Sequence, residues 1–184
     1  VGGSLGTRSL NEMMKAWIVE TGGEAPVQVI WQTGKYYERE MQAFLAAHPA
    51  RHVWQGAFID RMDYAYAAAD LVVSRSGAGT VSELCLVAKP VLFVPSPNVA
   101  EDHQTKNARA LETKGAAVVV ADAESRTKAM PRALELLADR EALAAMSNEH
   151  KKYADKISVQ FTNAVLDGRT VGEMKELINR SFVI

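Results

Sequence analysis

Hydrophobic and polar positions alternate along this chain in two distinct rhythms. Leu10, Met13, Met14, Trp17 and Ile18 recur at the spacing of one helix face. Ser9 and Glu12 have the spacing of a capping box at its start, and Gly22-Gly23 supplies a stop. Val27–Gln32 is β-branched and aromatic, which predicts a buried strand. A helix is expected over roughly Tyr37–Ala47, ended by His48-Pro49. His52–Phe58 predicts a short strand, Met62–Ala69 a short helix and Leu71–Ser74 another strand. Gly77-Ala78-Gly79 then turns into a helix at about Val81–Val87, and Lys89-Pro90 leads to strand Val91–Val94. A helix from about His103 to Lys114 stops at Gly115, and Ala117–Ala121 is the last strand. Helices are expected near Thr127–Ala138 and Arg140–Ala154, and the tail from about Ile157 reads as two more around Asp167-Gly168. Strands and helices that alternate with short connections define an α/β fold with a parallel sheet and right-handed crossovers.

Composition narrows the partners. The chain has 184 residues, the size of one ordinary domain, with 48% hydrophobic and 23% charged residues. It can bury a sizeable core without staples. A formal net charge of −1 gives no global field toward nucleic acid, so none is expected as a partner. No apolar run approaches the length of a membrane span, and no signal-peptide pattern is present. Cys85 is the only cysteine, which excludes an internal disulfide or a thiolate metal cluster and fits a cytoplasmic protein. Val1 runs straight into Gly2-Gly3-Ser4, a turn that normally follows a strand, so the first strand is expected to be largely missing.

Doubly wound sheets bind ligands beyond the carboxyl ends of their strands. Two loops on that side are rich in glycine and open a helix: Gly2-Gly3-Ser4-Leu5-Gly6 and Ser74-Arg75-Ser76-Gly77-Ala78-Gly79-Thr80. Glycine lets backbone N–H groups turn toward an anion, and a helix N-terminus favours negative charge. Both loops are therefore candidates to close around a diphosphate. Both are equally explained as tight strand-to-helix turns.

Two readings compete for Glu83 as well. Thr80-Val81-Ser82-Glu83 has the text of a capping box, with Thr80 as the cap. Alternatively, the carboxylate accepts hydrogen bonds from a ribose diol, as acidic residues do in dinucleotide-binding folds. Pattern alone favours the cap. The run Glu101-Asp102-His103-Gln104-Thr105-Lys106-Asn107 suits either a helix start capped by Asp102 or polar recognition of sugar hydroxyls. His48, His52 and His150 lack metal-ligand spacing and read as surface or packing residues. Cys85, Trp17, Trp31 and Trp54 read as core. With no Asp-x-Asp pair, neither a divalent metal nor a cofactor is called for.

The motifs taken in order carry a family likeness. They are Gly2-Gly3-Ser4-Leu5-Gly6 with Leu10-Asn11, Gln32-Thr33-Gly34, Phe58-Ile59-Asp60-Arg61-Met62, Ala68 through Glu83, Pro90-Val91-Leu92-Phe93-Val94-Pro95, and Asp102 through Ala108. Over about residues 1–150 the chain resembles the C-terminal, donor-binding domain of the MurG family of peptidoglycan N-acetylglucosaminyltransferases. The resemblance implies a Rossmann-like parallel sheet with helices on both faces, one half of a glycosyltransferase-B fold. Residues 1–154 would form the UDP-sugar domain, followed by a helical tail at 155–184 that does not match the family.

Carried onto matching positions, the likeness implies roles. Ser4 and its backbone approach the diphosphate, Ile59 fixes the uracil through its backbone, and Met62 lies beside the nucleotide. Ala78, Gly79 and Thr80 present backbone or hydroxyl groups to phosphates and sugar, and Glu83 takes the ribose hydroxyls. His103 and Gln104 reach the hydroxyls of N-acetylglucosamine. The chain departs from the pattern at Gly79, where some members carry leucine, at Arg61, where some carry an acid, and at His103, where some carry glutamine.

The implied activity is inverting transfer of N-acetylglucosamine from UDP-N-acetylglucosamine to lipid I, giving lipid II. The general base and the lipid-linked acceptor would belong to an N-terminal domain, so no catalytic residue is expected here. The full-length enzyme would work at the cytoplasmic face of the inner membrane. Alternatives are the donor-binding part of another UDP-sugar transferase, of glycolipid or dolichol type, an epimerase-like enzyme, or a structural module with inert loops.

Overall fold

The computed structural model describes residues 6–97 and 102–166, with side chains described as far as residue 154. Ser4, most of the first glycine loop and the expected helix after Asp167-Gly168 lie outside the described residues. The chain divides into two compact units, Val1–Ala69 with Val120–Glu135 and Asp70–Val119 with Leu136–Ile184.

The first unit opens with α1 (Arg8–Glu20), which buries the predicted stripe of Leu10, Met13, Met14, Trp17 and Ile18. Burying such side chains contributes about 1.5–3 kcal/mol each. The helix stops where expected. Gly23 N–H donates to Ile18 O at 3.0 Å and Gly22 N–H to Val19 O at 3.2 Å. That pair of bonds satisfies the last carbonyls and needs the left-handed backbone that glycine adopts at Gly22, φ +62°. The capping box at the other end does not form. Thr7 is the N-cap and makes no side-chain cap bond. Ser9 is already inside the helix and donates instead to Asp122 Oδ1 at 2.7 Å. Glu12 pairs with Lys15.

Strands β1 (Val29–Gln32) and β2 (Val53–Gly56) pair in parallel, with Trp31 opposite Gln55. Both are shorter than the sequence suggests. Helices α2 (Glu38–Ala47) and α3 (Met62–Ala68) follow β1 and β2 respectively. Trp17 and Trp31 are buried as expected, but Trp54 is 51% exposed. Its indole lies along its own strand, close enough that a Cβ on Gly56 would stand 2.5 Å from it. Hydrophobicity alone does not say which face of a strand is covered, and Trp54 falls on an open one.

The second unit holds a parallel sheet of order β3-β4-β5, made of Val72–Ser74, Val91–Phe93 and Val118–Val119. Val91, Leu92 and Phe93 are all fully buried, as a strand covered on both faces requires. Helix α4 (Ala78–Leu86) follows β3 and α5 (His103–Glu112) follows β4. After α6 (Ser125–Ala138), α7 (Arg140–Leu166) packs against α4. The sequence led us to expect a helix end near Ala154. Instead α7 continues through the first tail segment to Leu166.

Two polar residues, one of them buried, tie α7 down. His150 is fully buried, and its Nε2 meets the Ala116 carbonyl. Burial holds its pKa below the ordinary 6.5, so the ring is neutral. Ser147 Oγ donates to Ala88 O at 2.7 Å. Ala88 sits at φ +51°, closing α4 in a conformation usually left to glycine. Cys85 packs in this interface, as expected, and burial pushes its thiol pKa up to about 12.

Candidate functional site

The second unit presents two helix openings beside strand ends. The first follows β3. Gly77 is the N-cap of α4, with extended backbone at φ −62°, ψ 149° and no side-chain cap bond. Ala78, Gly79 and Thr80 are therefore the first three helical residues. N–H groups at those positions have no acceptor within a helix, and they carry its positive end. No acidic residue lies in this first turn.

This geometry overturns the capping reading of Thr80 and Glu83. Thr80 lies inside the helix, three positions beyond the true cap, and Glu83 follows one turn later. A helix that starts at Ala78 has Gly77, not Thr80, at its N-cap, so the box read from Thr80 does not sit at the helix start. Val81, Ser82, Leu84 and Cys85 form the buried stripe of α4, whereas Gly79 and Glu83 are exposed and Thr80 half-buried. Residues three and four apart share a helix face, so Gly79, Thr80 and Glu83 line one side together.

The second opening follows β4. Asp102 occupies the N-cap position of α5, but in a left-handed conformation at φ +56°, and its side chain makes no cap bond. The expected Asp102 cap is thus absent, because the αL backbone turns the side chain away from the geometry a cap requires. His103 is exposed and Gln104 half-buried. Gln104 Oε1 accepts from Ser96 N–H at 2.9 Å, which ties the first turn of α5 to the loop leaving β4.

Three residues that the sequence reading left without a role hold these openings together. Arg75 Nη1 donates to Val94 O at 2.8 Å and to Pro95 O at 2.9 Å, bracing the end of β4. Ser76, fully buried, donates from Oγ to Gln104 O at 2.8 Å. Asn107, 7% exposed, donates from Nδ2 to Ser76 O at 3.2 Å. All three stand inside the motifs quoted above. The available signal was polar residues next to apolar strands, where a buried polar group must find a partner.

In the first unit, Ile59 is buried and its N–H donates to Gln32 Oε1 at 3.3 Å. Met62 is half-buried at the start of α3. Beside it Arg61 forms a two-point ion pair with Asp63, at 3.0 and 2.7 Å, and lies 3.8 Å over the Tyr64 ring. These groups are exposed, where such pairs contribute little to stability. Of the histidines, His48 stacks on Phe44 at the surface, and His52 meets the Trp17 ring edge-on at 5.4 Å in the core. Among the described residues, no three His, Cys, Asp or Glu side chains lie together as a metal site. Also among them, no helix is long and apolar enough to cross a membrane.

Residues 1–161 match the family model of the glycosyltransferase family 28 C-terminal domain. The chain belongs to this family. A relative from Parabacteroides distasonis is 46% identical over 180 residues, covering 98% of this chain and 46% of its own length. One from Bacteroides fragilis is 51% identical over 148 residues, covering 80% of this chain and 39% of its own. Both are named UDP-N-acetylglucosamine--N-acetylmuramyl-(pentapeptide) pyrophosphoryl-undecaprenol N-acetylglucosamine transferase. The crystal structure of Acinetobacter baumannii MurG superposes with a TM-score of 0.72 at 33% identity, covering 84% of this chain and 46% of that one. The α/β architecture expected from the sequence is thus that of a family 28 glycosyltransferase. The chain spans less than half the length of the curated relatives it matches.

Proposed function

We propose that this chain is the donor-binding half of an inverting N-acetylglucosaminyltransferase that converts lipid I to lipid II, and that it binds UDP-N-acetylglucosamine. The observation that carries the reading is the family 28 match over residues 1–161, joined to relatives that bear this enzyme's name. The uncapped opening of α4 supports it physically, since it offers backbone donors and a positive helix end to a diphosphate.

In this reading Ser4 and the N–H groups of Ala78, Gly79 and Thr80 serve the phosphates. Glu83 accepts from the ribose hydroxyls, and His103 and Gln104 serve the sugar. Ile59 and Met62 serve the base. A base that takes the Ile59 N–H must displace Gln32 Oε1 from it, whereas the Ile59 carbonyl needs no such exchange. Negative charge grows on the leaving diphosphate during transfer, and fixed donors aimed at that charge lower the barrier without reorganising. The general base and the lipid acceptor are assigned to the N-terminal half of the enzyme, which would act at the cytoplasmic face of the membrane.

The test is calorimetric titration of the chain with UDP-N-acetylglucosamine, UDP-N-acetylgalactosamine and UDP, with a lipid II assay alongside. The expected result is binding of UDP, tighter binding of the N-acetylglucosamine conjugate than of its epimer, and no transfer. Absence of UDP binding overturns the donor site. A preference for the N-acetylgalactosamine donor overturns the sugar assignment, and lipid II formation by this chain alone overturns the division of labour.

A further inference from the structure

α7 carries an ionisable ring where it docks on the second unit. His150 is fully buried, and its Nε2 meets the Ala116 carbonyl in the turn between α5 and β5. A carbonyl only accepts, so Nε2 carries the hydrogen and the neutral ring leaves Nδ1 bare. Nδ1 is buried too, and has no hydrogen-bond partner among the described residues. A second proton would therefore bring both a charge and a new N–H into a buried interface. Burial opposes that charge, and it outweighs what the Ala116 and Leu84 carbonyls give back.

The neighbouring groups leave the response to this ring. On α4 the titratable group in the interface is Cys85, whose thiol burial pushes up to about 12. On α7 it is Tyr153, whose phenol is raised first by burial and then by Cys85 and Glu149. Neither is charged near neutral pH. Glu149 is paired with Lys152. At the end of α5, Glu112 is engaged by Arg109 and by the Val119 N–H, and Lys114 is exposed. The other polar anchor of α7, Ser147 on the Ala88 carbonyl, has no proton to exchange in this range.

We propose that His150 is a proton-operated latch: neutral, it holds α7 against α4 and the Ala116 turn, and protonated, it lets this part of α7 come away. The direction follows from linkage. An undocked ring ionises near 6.5, and burial sets the docked ring below that value. Undocking is therefore accompanied by proton uptake. The hold is full above about pH 6.5 and weakens as the pH falls below it. Because α7 packs against α4, the latch places a proton-sensitive joint on the helix whose opening forms the candidate site.

The test is residue-resolved amide exchange at about pH 7.5 and about pH 5.5, with each rate corrected for the intrinsic effect of pH. Opening of α7 around His150 is expected to become roughly tenfold more frequent at the lower pH, as one proton taken up per opening dictates. His150→Gln keeps an amide that can donate to the Ala116 carbonyl and has no ring to titrate. Its α7 amides are expected to change by less than about twofold over the same interval. Nitrogen NMR of the imidazole in the unaltered chain gives a second reading that needs no variant to fold. It is expected to find the hydrogen on Nε2 and a titration midpoint for His150 below 6.5. A flat response in the unaltered chain overturns the proposal, as does an equal response in His150→Gln. A midpoint at or above 6.5, or a hydrogen on Nδ1 in the neutral ring, overturns it as well.

Discussion

Two glycine-bearing turns open helices in this chain, and they need their glycines for opposite reasons. At the opening of α1, Gly6 sits at φ +83°, and a Cβ there would stand 2.1 Å from the Thr33 carbonyl oxygen and 2.9 Å from Tyr37. The same carbonyl accepts from Asn11 Nδ2 at 3.0 Å, and Asn11 Oδ1 accepts from Trp31 Nε1 at 3.0 Å. The protein's own backbone leaves Gly6 no room. At the opening of α4, a Cβ on Gly77 or on Gly79 would meet nothing within 4 Å, and neither residue has a positive φ. Nothing in the fold demands glycine there. One pattern in the sequence thus has two causes. The first is internal packing, and the second is open space beside backbone donors.

That contrast is open to attack, beginning with its largest expected effect. Gly6→Ala should lower the unfolding free energy by roughly 2–4 kcal/mol, from a left-handed backbone strained by a side chain and a clash with a carbonyl that Asn11 holds in place. Urea denaturation measures this, and a loss below about 1 kcal/mol would show that the Thr33 carbonyl yields easily.

Next comes Glu83→Ala. The variant should bind UDP at least roughly tenfold more weakly, as loss of a charged hydrogen-bond acceptor predicts. A fall in melting temperature with UDP affinity intact would reinstate the capping role. The smallest effect is expected from Gly79→Ala. Alanine in the first turn of α4 should stabilise the protein by up to about 0.5–1 kcal/mol by restricting the unfolded chain. UDP affinity should stay within about threefold, because the N–H group is kept and the added methyl lies in open space. Destabilisation of the same size as in Gly6→Ala would erase the distinction between the two turns.

Much of the molecule was legible without coordinates. The α1 stripe, the Gly22-Gly23 stop, the strand cores and the α/β alternation all arise from interactions between residues close in sequence. Side-chain periodicity and backbone preference act over a few residues, so pattern reports them faithfully. The ordered motifs also identified the family, although no single motif was specific enough to do so. The readings that failed have a common cause. The capping boxes at Ser9/Glu12 and Thr80/Glu83 match in text, but each helix begins before its box. Where a helix starts depends on the turn that delivers the chain to it, and for α4 that turn is built from extended Gly77.

The sequence by itself determined the class of fold, the family and the candidate loops of the proposed site. Tertiary structure alone decided what each polar residue in those loops does. Trp54 is apolar in text but open to solvent, because its strand face is uncovered. Ser9 resembles a cap but binds Asp122, which is 113 positions away. Gln104 is oriented by Ser96 and clasped through Ser76, 28 positions earlier in the chain. A polar side chain satisfies itself with whatever partner the fold brings near. Distant partners follow no local period, so only the folded chain reveals them.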